Sequence, residues 1–288
     1  MRKLIGLILG GAVILSLCAC SFNVNTIKNA DKYTAGNAEI TGKVENLDID
    51  WDSGKLNIIP GSGNTIILEE SYEGELPEEK QMHWYLDGTT LRVVYDMSFG
   101  VSANTNKTLN VTVPENLIFN EVNFDVASAD LNAEGLAATS ADIDTASGDV
   151  NVSFTQSMKD VEIDTASGDV TIDTAQSLDQ LDIDSASGEI HINAGDKINT
   201  VDIDTASGDV EAGFNKVPDS IKIDAASGNV TLRLPKNADM TLDIDTASGD
   251  FESELPFSIK SGDKYVIGAG TSSAKIDTAS GDITIIKY

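Results

Sequence analysis

Arginine, histidine, cysteine and aromatic side chains are all scarce in this chain, and each scarcity removes a class of function. Among 288 residues there are three arginines (Arg2, Arg92, Arg233), two histidines (His83, His191), two cysteines (Cys18, Cys20) and 6% aromatics. With so few guanidinium groups and a net charge of −28, no basic surface for a phosphate backbone can be assembled, which excludes nucleic acid as a partner. Both cysteines fall within the first 20 residues, so the body beyond them holds neither a thiol nor a disulfide. His191 sits between Ile190 and Ile192, the outward slot of an alternating strand and therefore a surface position. His83, next to Trp84, stands in no recognisable acid–base pattern. A Gly-rich phosphate loop, a nucleophile elbow and a His–Glu metal spacing are all missing. Cofactors are therefore not expected.

What is present is repetition. Ile-Asp-Thr-Ala-Ser-Gly-Asp occurs at 143–149, 163–169, 203–209, 244–250 and 276–282, with variants at 183–189 (Ser185, Glu189) and 223–229 (Ala225, Asn229). The glycines stand at 148, 168, 188, 208, 228, 249 and 281, a spacing of 20 that stretches to 21 and then 32. A fixed period near 20 residues marks stacked units, none of which can bury its apolar face alone. Each unit has two alternating runs. Val201, Ile203 and Thr205 point one way, and Asp202 and Asp204 the other. Gly208 then makes a corner, where it adopts positive φ without a Cβ penalty, and Val210 and Ala212 resume the inward set. Met158, Leu178, Ile198 and Val217 anchor the variable loops, and Pro218, Pro235 and Pro256 fall in loops, where no ladder hydrogen bond is lost. The expected fold is all-β: a single-chain β-solenoid of ~20-residue coils with strands ~4.8 Å apart. Leucine-rich repeats and calcium-binding nonapeptide rolls share the idea of a repeat but need consensus residues that this chain lacks.

The ends depart from the period. Arg2 and Lys3 precede an apolar run over 4–17, shorter than the ~20 residues of a membrane-spanning helix. The run closes in Leu17-Cys18-Ala19-Cys20, which resembles a bacterial lipobox. Cys20, with Ala19 before it and Leu17 three positions back, is the predicted lipidation site. Residues 1–19 are then a lipoprotein signal peptide and 20–32 a polar tether. The protein is expected to be exported and lipid-anchored, facing outward from the cytoplasmic membrane. Residues 33–126 read as an N-terminal cap of eroded repeats: 49–56 and 124–130 keep the frame of the motif, and Asp87-Gly88 reads as a hairpin turn between alternating runs. Residues 127–288 are the regular array. The stretch 251–273 reads as an insertion that closes the C-terminal end, followed by a last copy.

The one candidate constellation is acidic. In-register stacking is expected to align Asp144, Asp164, Asp184, Asp204, Asp224 and Asp245 in one column. Asp149, Asp169, Glu189, Asp209, Asn229 and Asp250 form a second, and Asp142, Glu162, Asp182, Asp202, Lys222 and Asp243 a third. Residues 141–250 carry 20 Asp and 3 Glu against 5 Lys and 1 Arg. Carboxylates ~4.8 Å apart repel by ~1 kcal/mol in water and ~3.5 kcal/mol at an effective dielectric of 20. One resolution is structural: the Asp before Thr-Ala-Ser-Gly accepts hydrogen bonds from the corner and the rest face water. The other is weak, distributed Ca²⁺ binding along the first column. Lys222 and Asn229 interrupt two columns, so full acidity is not required.

The opening 47–56, the Ile-Asp-Thr-Ala-Ser-Gly-Asp copies and Gly-Ala-Gly at 268–270 together resemble the bacterial putative-adhesin family of β-strand-repeat proteins, often made as lipoproteins. The resemblance spans 33–288 and implies a repeat β fold and no catalytic residue. The expected role is a non-enzymatic binding, adhesin-like or spacer module of the cell envelope, with an envelope or extracellular protein or glycan as partner. A divalent-cation-binding envelope scaffold is the alternative, and a polysaccharide-active β-helix enzyme a distant one, for which Arg233 is thin support as a base.

Overall fold

The computed structural model describes residues 30–74, 76–95 and 107–288. The predicted leader and Cys20 lie outside them. Among the described residues no helix is long and apolar enough to cross a membrane.

Each regular coil consists of a long strand, a glycine corner, a short strand and a loop. The long strands Ala138–Thr145, Met158–Thr165, Leu178–Ser185, Ile198–Thr205 and Ser220–Ala225 form one parallel ladder. The short strands Val150–Phe154, Val170–Thr174, Ile190–Ala194, Val210–Phe214 and Val230–Leu234 form another. Ile163 pairs with Ile183, and Ile183 with Ile203; all three are fully buried. Alternation sends Val161, Ile163 and Thr165 inward from a long strand and Val170, Ile172 and Thr174 inward from its short strand. The two sets meet in one continuous aliphatic core. Burying a Val, Leu or Ile side chain contributes roughly 1.5–3 kcal/mol, so each coil is held mainly by its neighbours.

Corners are packed more tightly than a turn requires. Gly148, Gly168, Gly188, Gly208 and Gly228 have φ between 129° and 139°. A Cβ on Gly208 would lie 1.8 Å from the carbonyl oxygen of Gly188. The ladder also continues through the corner, with Gly188 N–H donating to Ser207 O at 3.2 Å and Gly208 N–H to Ser227 O at 3.1 Å.

Stacking order and chain order part company at both ends. The last copy, Ser272–Thr278 with Ile283–Lys287, does not lie beyond 240–253. It is inserted between coils 220–234 and 240–253: Ile276 pairs with Ile223 on one side and Ile244 on the other. Ile283 likewise lies between Val230 and Phe251. The expected adjacency of Asp224 and Asp245 is therefore wrong, because Asp277 stands between them. Closure is supplied by the outer coil and, within the stretch 251–273, by the hairpin Ile259–Ser261/Lys264–Ile267, which pairs antiparallel with Met240–Asp243.

The N-terminal end mirrors this arrangement. Strand Asn46–Gly61 runs through both faces, with Phe119–Leu136 on one side and Thr90–Tyr95 and Thr108–Pro114 on the other. Outside these, His83–Asp87 pairs antiparallel with Thr90–Tyr95, and Ile66–Ser71 with Thr108–Pro114. Antiparallel strands thus cover edges that would otherwise template aggregation.

Candidate functional site

The long-strand face carries two outward columns side by side. Asp125, Asp144, Asp164, Asp184, Asp204, Asp224, Asp277 and Asp245 follow one another in register. Beside them run Asn123, Asp142, Glu162, Asp182, Asp202, Lys222, Lys275 and Asp243. Side chains with positive charge enter this panel only near its ends. Arg92 pairs with Asp48 at the N-terminal end. Toward the C-terminal end Lys222 Nζ reaches Asp202 at 2.8 Å, Asp204 at 3.1 Å and Asp224 at 3.2 Å, and Lys275 pairs with Asp277. Burial opposes the charge on Lys222, but the three carboxylates outweigh it and hold the ammonium above its ordinary value.

Between these cations the carboxylates face only one another. Burial first, and like-charged neighbours second, raise Asp142, Asp144, Glu162 and Asp182 above the usual carboxylate range. Asp164 is pushed up to about 6 by burial and then by Asp144 and Asp184. An acid whose folded pKa is raised binds more protons folded than unfolded between the two values. Its contribution therefore favours the fold at low pH and is lost as pH rises through about 6. After discounting for solvent screening, the Asp164 effect is about 1 kcal/mol. With its neighbours added, Tm in low salt is expected to be about 5 °C higher at pH 5 than at pH 7.5. Roughly 0.5 M NaCl should remove only the smaller part owed to like-charged neighbours and leave the part owed to burial. Thermal melts across that range check this, and a Tm that falls steadily from pH 7.5 to 5 contradicts it.

The corner hydrogen bonds expected of the Asp before Thr-Ala-Ser-Gly belong instead to the residue after the glycine. Asp149 Oδ1 accepts from Asp169 N–H at 3.1 Å, and Asp169 Oδ1 from Glu189 N–H at 2.8 Å. Asp209 Oδ1 accepts from Asn229 N–H at 2.8 Å, Asn229 Oδ1 from Asp282 N–H at 3.0 Å, and Asp282 Oδ1 from Asp250 N–H at 2.9 Å. Asn229 serves as well as Asp because the acceptor oxygen, not the charge, is what the amide needs. The second column is thus a clasp between coils. Among the described residues no three His, Cys, Asp or Glu side chains are placed to hold a metal ion, so the first column (Asp144, Asp164, Asp184, Asp204, Asp224, Asp245) gains no geometric support as a Ca²⁺ site.

His191 lies on the short-strand face with Nε2 3.1 Å from Glu189, in the outward slot expected of it. Arg233 pairs with Glu211. Two sites escaped the sequence reading. Lys107 is fully buried, 2.6 Å from Glu70, with its ammonium 3.7 Å from the Tyr95 ring centroid; nothing periodic links residues 37 apart in the eroded region. Asp239 accepts backbone N–H groups from Ala269, Gly270 and Thr271, which holds its carboxyl below the usual range. The Gly-Ala-Gly at 268–270 was the visible signal of that crossover.

Among solved structures, a putative adhesin from Bacteroides fragilis aligns with 91% of this chain and 100% of its own at 14% identity and a TM-score of 0.50. A putative lipid binding protein from Parabacteroides distasonis aligns with 91% and 99% at 14% identity and a TM-score of 0.49. A putative adhesin from the same species covers 88% and 97% at 12% identity and a TM-score of 0.43. No curated protein matches the chain. The description "Toastrack DUF4097" matches residues 44–286, nearly the whole of the stacked array with its insertions at both ends, and the chain belongs to that family.

Proposed function

We propose that this protein is a lipid-anchored, non-enzymatic binding module of the bacterial cell envelope, held outside the cytoplasmic membrane by Cys20. Residues 1–19 serve as the leader, 20–32 as the tether, 33–126 as the cap and 127–288 as the presenting body. The observation that carries the reading is the long-strand face: an in-register sheet that repeats the same outward side chains coil after coil. Such a face suits an extended partner with a repeating contact, a protein or a glycan. The similarity to a putative adhesin from Bacteroides fragilis agrees with this. Because the face is acidic, its partner is cationic where it touches, and binding weakens with salt.

The test uses cells that display the full chain, set against cells without it, on immobilised matrix proteins, glycans and wall polymers. Retention on at least one surface, reduced by salt, is the expected result. Equal retention on every surface removes the binding reading, and cleavage of a glycan in the panel would replace it with an enzyme. The anchor has its own expected outcome: Cys20→Ala loses its acyl label and leaves the membrane fraction. A label that persists in that variant contradicts the assignment.

A further inference from the structure

At the C-terminal end the order of synthesis conflicts with the order in space. Coil 240–253 precedes 272–288 in the chain, yet 272–288 lies between it and coil 220–234. The two segments carry the same heptapeptide, at 244–250 and 276–282. They can therefore compete for the same neighbour. Without the insert, Leu242, Ile244 and Gly249 would fall opposite Ile221, Ile223 and Gly228, and Asp243 opposite Lys222. The insert instead sets Lys275 beside Lys222. In return it places Ala274, Ile276, Ile283 and Ile285 in the core, all 2% exposed or less. The slot is thus a site for one particular strand–corner–strand sequence, and nothing in its contacts distinguishes the chain's own segment from that of another copy.

We propose that residues 272–288 are an exchangeable insert, and that the slot between coils 220–234 and 240–253 accepts this segment from a second copy of the chain. The tie to the parent molecule is residues 254–271. Its strand Ile259–Ser261 is exposed throughout, and its crossover turns at Gly268 and Gly270 with φ of 64° and 80°. Asp239 clamps that crossover through three backbone N–H groups, so the partition between own and foreign insert is set while the chain folds. Contacts being equal, the competition is decided while 254–271 is still unfolded, by the effective concentration that a chain segment of this length sets near ~1 mM. The exchange is independent of the binding role proposed above.

The test pairs two single-cysteine chains, each full length with Cys18 and Cys20 replaced by serine. One carries Thr231→Cys and the other Thr284→Cys, positions that are register partners on the short-strand face. The chains are mixed, unfolded and refolded together under oxidising conditions. Disulfide-linked heterodimer is expected to rise from about 0.5% of the chains at ~10 µM total to about a quarter at ~1 mM total, half of the exchanged inserts coming from chains of the same kind, with each variant alone as the background. A single chain bearing both substitutions should close an intramolecular disulfide at ~10 µM, where the tethered segment outcompetes a free one about a hundredfold. Heterodimer no greater than background at the higher concentration overturns the proposal. So does a doubly substituted chain that refolds with both thiols free, since the insert would then not occupy its slot.

Discussion

Gly208→Ala is expected to destabilise the protein by about 3 kcal/mol or more, an effect out of proportion to one added methyl group. Two costs add. At φ of 132° an alanine occupies backbone space that L side chains rarely enter, at about 1–3 kcal/mol. Its Cβ would also lie 1.8 Å from the Gly188 carbonyl oxygen, an atom that no rotamer change can move. Relief requires these two coils to separate, which stretches the bonds between them at the corner, from Gly188 N–H to Ser207 O and from Ile190 N–H to Asp209 O, worth about 1 kcal/mol each. Gly63 is the control, because a Cβ there meets nothing within 4 Å. Gly63→Ala should stay within about 0.5 kcal/mol of the parent. Denaturant midpoints of the two variants measure the contrast; equal midpoints would mean that the corners are not close-packed.

Glu70→Ala should cost about 3–5 kcal/mol, because it strands a buried ammonium. The Lys107 side chain is 0% exposed and that of Glu70 6%. Burial lowers the Lys107 pKa, and Glu70 counters that shift by hydrogen bond and charge. The same carboxylate accepts Met82 N–H at 3.1 Å to each oxygen, tying the loop before His83–Asp87 to strand Ile66–Ser71. The double variant Lys107→Met/Glu70→Leu should recover most of the loss, since an ion pair out of water is worth little more than the apolar pair that replaces it. Both variants lose the Glu70 carboxylate and its bonds to Met82 N–H, but only the single variant leaves a charge unpaired. Melting both decides the matter: a double variant as unstable as Glu70→Ala would assign the loss to the Met82 hydrogen bond instead.

The regular array was legible in the sequence because its signals are local and redundant. Alternation at Val201, Ile203 and Thr205 gives the inward face, the 20-residue spacing gives the register, and the recurring glycine gives the corner. Any one coil repeats the evidence of the last. The eroded region offers no such redundancy. There the pairing of Asn46–Gly61 with three other strands, and the Lys107–Glu70 pair, arise from contacts between segments with little in common. The role of the aspartates was only half readable. Period and outward direction followed from the sequence, but which Asp clasps the next coil depends on where the corner amides point. The structure assigns that clasp to the residue after the glycine.

From the sequence alone came the all-β repeat, the composition of its core, the acidity of its face and the need for glycine at the corners. Each of these is a property of one coil meeting a neighbour like itself. Only the tertiary structure decided which neighbour each coil meets at the ends, because near-identical copies stack on one another with near-identical energy. The insertion of 272–288 between 220–234 and 240–253, and of 46–61 between 119–136 on one side and 90–95 with 108–114 on the other, was settled by long-range contacts. Edges had to be covered by hairpins, and both inserted segments bury their aliphatic side chains, Ile49 and Leu56 in one and Ile276 and Ile283 in the other, inside the stack. No local pattern in the chain encodes that placement.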